Sequence, residues 1–281
     1  MPAGAAVATG FFTVTGAGLL GGLLAAPRAE LGRFFSALHA VLALCCLLLV
    51  VPFRMAGGDI SVATPPSAAR AALWGAILAG GIGLLFVAAL YLPQGRGGRG
   101  VLPGGRVGSW LLRLSLACAL VAVALDGWII AGGRRPAVFV ASAVAAGALL
   151  GVVVVAMDLG HWYLVRVRMS EAHLMRFARL MGLAVMARAV LLLGGLVLYG
   201  TDSPGGLAVY LKSVAVDHGF FFWQRIVFGL IGPAVFAYMV FETARIRSTQ
   251  SATGILYIAL IFVLIGELLA RYLAVSGLGP L

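Results

Sequence analysis

Charged residues are scarce in this chain. They make up 10% of its 281 residues, whereas soluble globular domains carry about 25%. Hydrophobic residues make up 62%, and the mean hydropathy is +1.09. A water-soluble fold cannot bury that much apolar surface, so the composition excludes a soluble domain and predicts a protein that spans the lipid bilayer several times.

Acidic residues and cysteine are also few. The chain contains only 9 Asp and Glu but 20 Lys and Arg, which gives a net charge of +11. The basic residues, however, gather at the ends of apolar runs. That distribution indicates membrane topology and not a nucleic-acid partner. Cys45, Cys46 and Cys118 lie inside apolar runs without a CxxC motif, and an iron–sulfur cluster needs about four thiolates. We therefore predict three buried thiols and no covalently bound cofactor.

The apolar runs lack the alternation over about ten residues that a membrane β-barrel needs. They are long enough for helices, which need about 20 apolar residues to cross the hydrocarbon layer. The sequence thus predicts an all-α fold, a polytopic transmembrane helical bundle of about eight spans. We expect a single integral membrane domain over residues 1–281, with spans at roughly 4–26, 33–52, 69–92, 108–131, 136–157, 177–199, 219–241 and 252–275.

The basic residues in the connections predict the orientation. Connections after odd-numbered spans carry ten: Arg28, Arg33, Arg96, Arg99, Arg106, Arg166, Arg168, Arg176, Arg245 and Arg247. Connections after even-numbered spans carry five: Arg54, Arg70, Arg134, Arg135 and Lys212. By the positive-inside rule, the odd connections are cytoplasmic and both termini are periplasmic in a bacterial inner membrane.

Two backbone features indicate close packing and a helix break. Gly18 and Gly22 form a GxxxG step in span 1, which lets this helix approach span 2 or another subunit closely. Pro233 follows Gly232 within span 7, and a proline in mid-span usually kinks the helix and can open a cleft.

Charged residues inside spans are costly in lipid and are therefore candidate functional groups. The candidates are Asp126, Arg188, Glu267 and Arg271. Glu267 and Arg271 are four residues apart and can pair on one helix face, which leaves Asp126 or Asp158 for Arg188. The alternative role of these charges is a buried ion pair that only fixes the packing.

A first polar cluster surrounds the connection between spans 5 and 6. It consists of Asp158, His161, Tyr163 and His173. Asp158 and His161 are three residues apart on one helix face, and a carboxylate beside a histidine raises its affinity for a proton. This pattern predicts a proton-transfer site or second binding site at the cytoplasmic face. The alternative is an interfacial basic patch without chemistry.

A second polar cluster opens span 7 at the periplasmic face. It consists of Asp217, His218, Trp223, Gln224 and Arg225. A quinone needs an apolar, aromatic-lined slot with a donor or an acid–base group at each carbonyl. This cluster is therefore the candidate quinone site.

Span 8 closes on the segment GELLARYL, Gly266 to Leu273, which contains Glu267, Arg271 and Tyr272. Together with eight spans and two periplasmic termini, this motif resembles the membrane-anchor subunits of dimethyl sulfoxide and polysulfide reductases. The resemblance implies a heme-free subunit that binds quinone near the outer surface and exchanges electrons with the iron–sulfur cluster of a partner. Span 1 lacks the histidine that part of that family carries there.

Two other functions remain open. A b-type cytochrome needs two histidines at one depth on different helices, and the pairs available are His161 with His173 and His39 with His218. Otherwise His39 is a polar clip between helices. A transporter or a structural subunit without redox chemistry is the third possibility, although the chain has one broken helix and no clear internal repeat. The sequence favours a quinone-site or non-catalytic subunit of a respiratory oxidoreductase complex, with an iron–sulfur or cytochrome subunit as its partner.

Overall fold

A computed structural model describes residues 3–56, 66–91, 105–165 and 169–281. Its helices are α1 (Ala3–Ala25), α2 (Arg28–Ala56), α3 (Pro66–Tyr91), α4 (Arg106–Ala131), α5 (Pro136–Val165), α6 (Ala172–Thr201), α7 (Gly206–Lys212), α8 (Gly219–Ile226), α9 (Gly232–Arg245) and α10 (Thr249–Val275). Two π-helical turns, Ser213–Asp217 and Val227–Ile231, flank α8. Within the described ranges there is no β-strand.

Among the described residues, eight helical segments are long and apolar enough to cross a membrane. Spans 1 to 6 are α1 to α6, span 7 runs from α8 through α9, and span 8 is α10. The predicted all-α polytopic bundle is confirmed, and the chain is a multi-pass membrane protein. The largest boundary difference is at α5, which continues to Val165 instead of ending at 157. It continues because Leu159 and Tyr163 extend its buried side by more than one turn.

Consecutive spans run in opposite directions, so the helix ends gather at two faces. Face A holds the connections 132–135 and 202–218 and the final residues 276–281. Face B holds the connections 26–27, 169–171 and 246–248. At face A, the Tyr210 hydroxyl donates to the carbonyl oxygen of Leu278 at 2.5 Å. At face B, His173 Nε2 lies 2.9 Å from a carboxylate oxygen of Glu30.

The predicted orientation used four basic residues that lie outside the described residues: Arg96, Arg99, Arg166 and Arg168.

An exposed ion pair joins two connections at face A. Arg135 donates to both carboxylate oxygens of Asp202, from Nε at 2.6 Å and from Nη2 at 3.0 Å. These hydrogen bonds hold the pKa of Asp202 below its ordinary value and raise the pKa of Arg135. The pair therefore connects the start of α5 with the end of α6.

The glycine face of α1 packs directly on the backbone of α5. A Cβ atom on Gly18 would lie 2.0 Å from the carbonyl oxygen of Gly147, and one on Gly22 would lie 2.6 Å from that of Gly151. Side chains at these positions would force the helices apart. The GxxxG step is a close interface as predicted, but it contacts span 5 and not span 2.

Span 7 is interrupted just before Pro233, the second residue of α9. The π-helical turn Val227–Ile231 precedes this proline, whose missing N–H cannot complete the α-helical ladder. At the same level a Cβ on Gly266 of α10 would lie 2.3 Å from the α-carbon of Gly229. The break therefore coincides with a backbone contact between spans 7 and 8.

The cysteines are less enclosed than expected. Cys45 is exposed on the outer side of α2, while Cys46 and Cys118 are half-buried. Neighbouring residues of a helix point in different directions, so Cys45 and Cys46 cannot share one packed face. The expectation of three buried thiols is wrong.

Candidate functional site

Arg188 of span 6 and Glu267 of span 8 form a buried ion pair. Arg188 Nε donates to Oε1 at 3.0 Å and Nη2 donates to Oε2 at 2.8 Å. Its Nη1 donates to the hydroxyl oxygen of Ser142 at 2.6 Å and to the Ser142 carbonyl oxygen at 3.2 Å. Because Ser142 belongs to α5, one guanidinium joins three spans in the interior of the bundle.

Two further arginines lie beside this pair. Arg225 Nη2 is 3.9 Å from Glu267 Oε1, and Arg271 interacts electrostatically with Glu267 and Arg188. All four side chains are buried, and we call them the arginine cluster. Arg225 is six residues past the start of α8 and Glu267 is eight residues before the end of α10. At 1.5 Å per residue, the backbone of Arg225 and Glu267 lies about 9–12 Å below face A.

The remaining intramembrane acids have partners that the sequence did not indicate. Asp126 of α4 is in direct contact with Arg54 of α2, and Asp158 of α5 contacts His39 of α2. The expectation that Asp126 or Asp158 neutralises Arg188 is therefore wrong. The four-residue spacing predicted that Glu267 pairs with Arg271. Instead, span 6 packs against span 8, and Glu267 accepts two hydrogen bonds from Arg188.

The contact between His39 and Asp158 joins span 2 to span 5 in the interior of the bundle. His39 Nε2 is 3.1 Å from Asp158 Oδ2, close but poorly aligned for a hydrogen bond, and Nδ1 is 2.9 Å from the carbonyl oxygen of Phe35. A carbonyl oxygen and a carboxylate oxygen both accept. Both ring nitrogens of His39 therefore face oxygen atoms that can only accept. His39 is fully buried and Asp158 is 22% exposed. The predicted polar clip between helices is confirmed.

The structure separates the members of the cluster predicted between spans 5 and 6. Asp158 turns to His39, and His161 is exposed on α5. His173 contacts Glu30, as described above. The buried Tyr163 donates its hydroxyl to the carbonyl oxygen of Ser170, which fixes the start of span 6. The four residues therefore form four separate contacts or surfaces and not one site.

The cluster that opens span 7 divides into an outer and an inner part. Outside, a shallow groove of about 310 Å³ is lined by Gly219, Phe220, Trp223, Gln224, Val227 and Phe228. Trp223 Nε1 donates to the carbonyl oxygen of Ala215 at 3.2 Å, which fixes the indole. Arg225 points inward to the arginine cluster, and Asp217 is exposed.

His218 closes the turn just before the groove. Its Nδ1 lies 3.2 Å from the carbonyl oxygen of Ser213. Because a carbonyl only accepts, this contact favours a proton on Nδ1 and leaves the lone pair on Nε2 in the neutral ring. The ring is half-buried beside Gly219, the first residue of the groove wall. His218 can therefore accept one proton near the groove.

Neither histidine pair fits a bis-histidine heme in this arrangement. His39 is 17 residues before the face A end of α2, about 25 Å along the axis, whereas His218 lies at face A. In the other pair, Nε2 of His173 already faces Glu30 and His161 is exposed. In the part of the chain that the structure describes, no three His, Cys, Asp or Glu side chains gather in a metal-binding arrangement.

Among the described residues, the fold and these contacts define a multi-pass helical membrane protein with three buried polar contacts and an aromatic surface groove. Comparison of the chain with protein-family models gives no match, and comparison with curated proteins gives none either. The function is therefore argued from the geometry.

Sequence reasoning missed three residues that complete these sites. Ser142, Arg54 and Glu30 bind Arg188, Asp126 and His173. Arg54 and Glu30 carry a sequence signal, because each is a charge beside or inside an apolar run and requires a partner. Ser142 carries none, since one serine among alanines gives no indication of an arginine from another helix.

Proposed function

We propose that this chain is a quinone- or quinol-interacting membrane subunit of an electron-transfer complex. The observation that carries the proposal is the groove at the face A end of span 7. Its walls are aromatic and apolar except for the amide of Gln224. An apolar ring with hydrogen-bonding carbonyls matches such a surface, and Gln224 can donate to one carbonyl.

Proton transfer supports the same assignment. Oxidation of a quinol releases two protons together with two electrons, so the site needs a nearby base. The lone pair on Nε2 of His218 suits that role, and a histidine accepts a proton near neutral pH. A side chain at face A can pass the proton to water without crossing the bilayer.

The electrons require a partner. The chain has no cluster-binding or nucleotide-binding motif, so the proposal assigns the acceptor to an iron–sulfur or cytochrome subunit. Face A is periplasmic in this proposal, because the sequence places fewer basic residues in its connections than in those of face B. The protein would then act in a bacterial inner membrane.

Photoaffinity labelling tests the groove as the quinone site. Membranes containing the intact complex are irradiated with an azidoquinone, and the labelled peptides are mapped by mass spectrometry. We expect label within residues 219–228, competed by unlabelled quinone and lost in Trp223→Ala or Gln224→Leu. Tyr238→Ala is the matched control, because Tyr238 is an exposed aromatic farther along the same span. Equal label on every outward-facing span, unchanged by the groove substitutions, contradicts the proposal.

A further inference from the structure

The arginine cluster contains more positive than negative charge. Arg188, Arg225 and Arg271 are 2%, 0% and 7% exposed, and Glu267 is fully buried among them. Three guanidinium groups thus face one carboxylate. Each unneutralised charge buried away from water costs several kcal/mol, about the net stability of many domains. A second source of negative charge would offset that cost.

Arg225 is also unsatisfied as a hydrogen-bond donor. Its Nε, Nη1 and Nη2 have no acceptor among the described residues. The nearest carboxylate oxygen of Glu267 is 3.9 Å away, beyond hydrogen-bond distance, whereas both oxygens of Glu267 accept hydrogen bonds from Arg188. Glu267 therefore hydrogen-bonds Arg188 and not Arg225.

The backbone is built to accommodate Arg225. A Cβ on Gly229 would lie 1.7 Å from Arg225 Nη1, so the guanidinium occupies the space above that glycine. Gly229 lies in the π-helical turn that interrupts span 7. Such single π turns are frequent at functional sites. The position of this charge is thus a specific feature of the fold.

A small cavity lies beside Arg188 and Arg271. It measures about 20 Å³, and the Ser142 side chain forms part of its wall with apolar residues from α5 and α10 and with Pro280 and Leu281 of the final residues. A cavity needs about 10–15 Å³ to admit one water-sized sphere, so this one holds a single small species. Because Ser142 Oγ accepts a hydrogen bond from Arg188, its hydroxyl can still donate one hydrogen bond to another acceptor.

We propose that this cavity binds one small monovalent anion of the halide class. Arg188 and Arg271 supply the charge, and Ser142 donates a hydrogen bond. The bound anion weakens the hydrogen bonds between Arg188 and Glu267. A movement of the Glu267 carboxylate by about 1 Å then brings it within hydrogen-bond distance of Arg225. The site is separate from the surface groove and does not depend on quinone binding.

Anion titration tests this site in the purified intact protein. The protein is kept in gluconate, and chloride, bromide or sulfate is added at constant ionic strength while Tm is measured. A ligand that binds only the folded state raises Tm in a saturable way. We expect saturation with chloride and bromide but not with sulfate, and broadening of the ³⁵Cl NMR signal of free chloride.

Three substitutions test whether the chloride-dependent rise in Tm comes from binding in the cavity. Arg271→Gln should weaken chloride binding at least tenfold, and Ala274→Val should block the cavity while leaving every charge in place. Arg113→Gln is the control, because Arg113 is an exposed arginine on α4. If Arg271→Gln does not fold, Ala274→Val alone decides. An equal response to all salts, or the same chloride response in wild type and Ala274→Val, overturns the proposal.

Discussion

Arg188 and Glu267 are joined by two hydrogen bonds of 3.0 and 2.8 Å although they are 79 residues apart. The pair links span 6 to span 8, and Ser142 extends the link to span 5. Buried side-chain bonds of this kind fix one arrangement of helices that are otherwise held by apolar contacts.

Removal of one partner should be far more costly than removal of both. Glu267→Gln leaves buried guanidinium groups without a charge partner, and we expect it to lower the free energy of unfolding by about 3–5 kcal/mol. Arg188→Met combined with Glu267→Leu should recover most of that loss. Unfolding in mixed micelles gives both values. Glu242→Gln is the control, because it breaks only the exposed pair with Arg245. A double variant as unstable as Glu267→Gln contradicts this account.

The protonation of His39 can be observed directly. Since both ring nitrogens face acceptors, we expect ¹⁵N NMR at pH 7 to show a proton on Nδ1 and also a proton on or shared with Nε2. Asp158→Asn removes the carboxylate and should return the ring to one protonated nitrogen. His161 is the internal reference, since its ring is exposed. A spectrum in which wild-type His39 has a fully deprotonated Nε2 and Asp158 is ionised would contradict the contact as described.

The glycine interface between α1 and α5 should tolerate no added carbon. Gly18→Ala places a Cβ 2.0 Å from the Gly147 carbonyl oxygen, so the helices must separate. We expect the free energy of unfolding to fall by about 1–3 kcal/mol. Gly81→Ala is the matched control, because its Cβ meets nothing within 4 Å and alanine is the better helix former. Thermal unfolding should rank Gly81→Ala at or above wild type and Gly18→Ala below it.

The exposed pair at face A predicts a pH dependence at the acidic end. Arg135 lowers the pKa of Asp202, so the pair stabilises the fold above the unfolded pKa of this carboxyl, ordinarily 3.8. That contribution is lost as the pH falls through the lower pKa of the folded state. Asp202→Asn should remove it, whereas Asp217→Asn should not. Tm measured from pH 6 to pH 2.5 in low salt distinguishes the two variants, and identical curves would contradict the prediction.

The span pattern could be predicted because lipid imposes both a length and an apolar composition on each helix. Because a charged side chain is costly in lipid, the sequence also identified Arg188 and Glu267 as candidate functional residues. Their pairing could not be predicted, because the four-residue spacing of Glu267 and Arg271 is a local pattern and the observed bond depends on the packing of span 6 against span 8.

The partner of Asp158 could not be predicted from the sequence either. Its three-residue spacing from His161 suggested one shared site, yet α5 turns Asp158 inward to His39 and leaves His161 exposed. Helical spacing shows which residues share a face of one helix. It does not show which face the neighbouring helix covers. The candidate groove on span 7 was easier to anticipate, because two of its aromatic residues, Phe220 and Trp223, belong to one run of four aromatic residues in the sequence.

Quinol-dependent turnover of the intact complex tests the proposed function most directly. General-base catalysis contributes about 10²–10⁴-fold, so His218→Ala should lower the rate at least tenfold while all subunits still co-purify. His161→Ala, at the exposed histidine of α5, should retain the wild-type rate. A His218→Ala complex that oxidises quinol at the wild-type rate would contradict the proposed site.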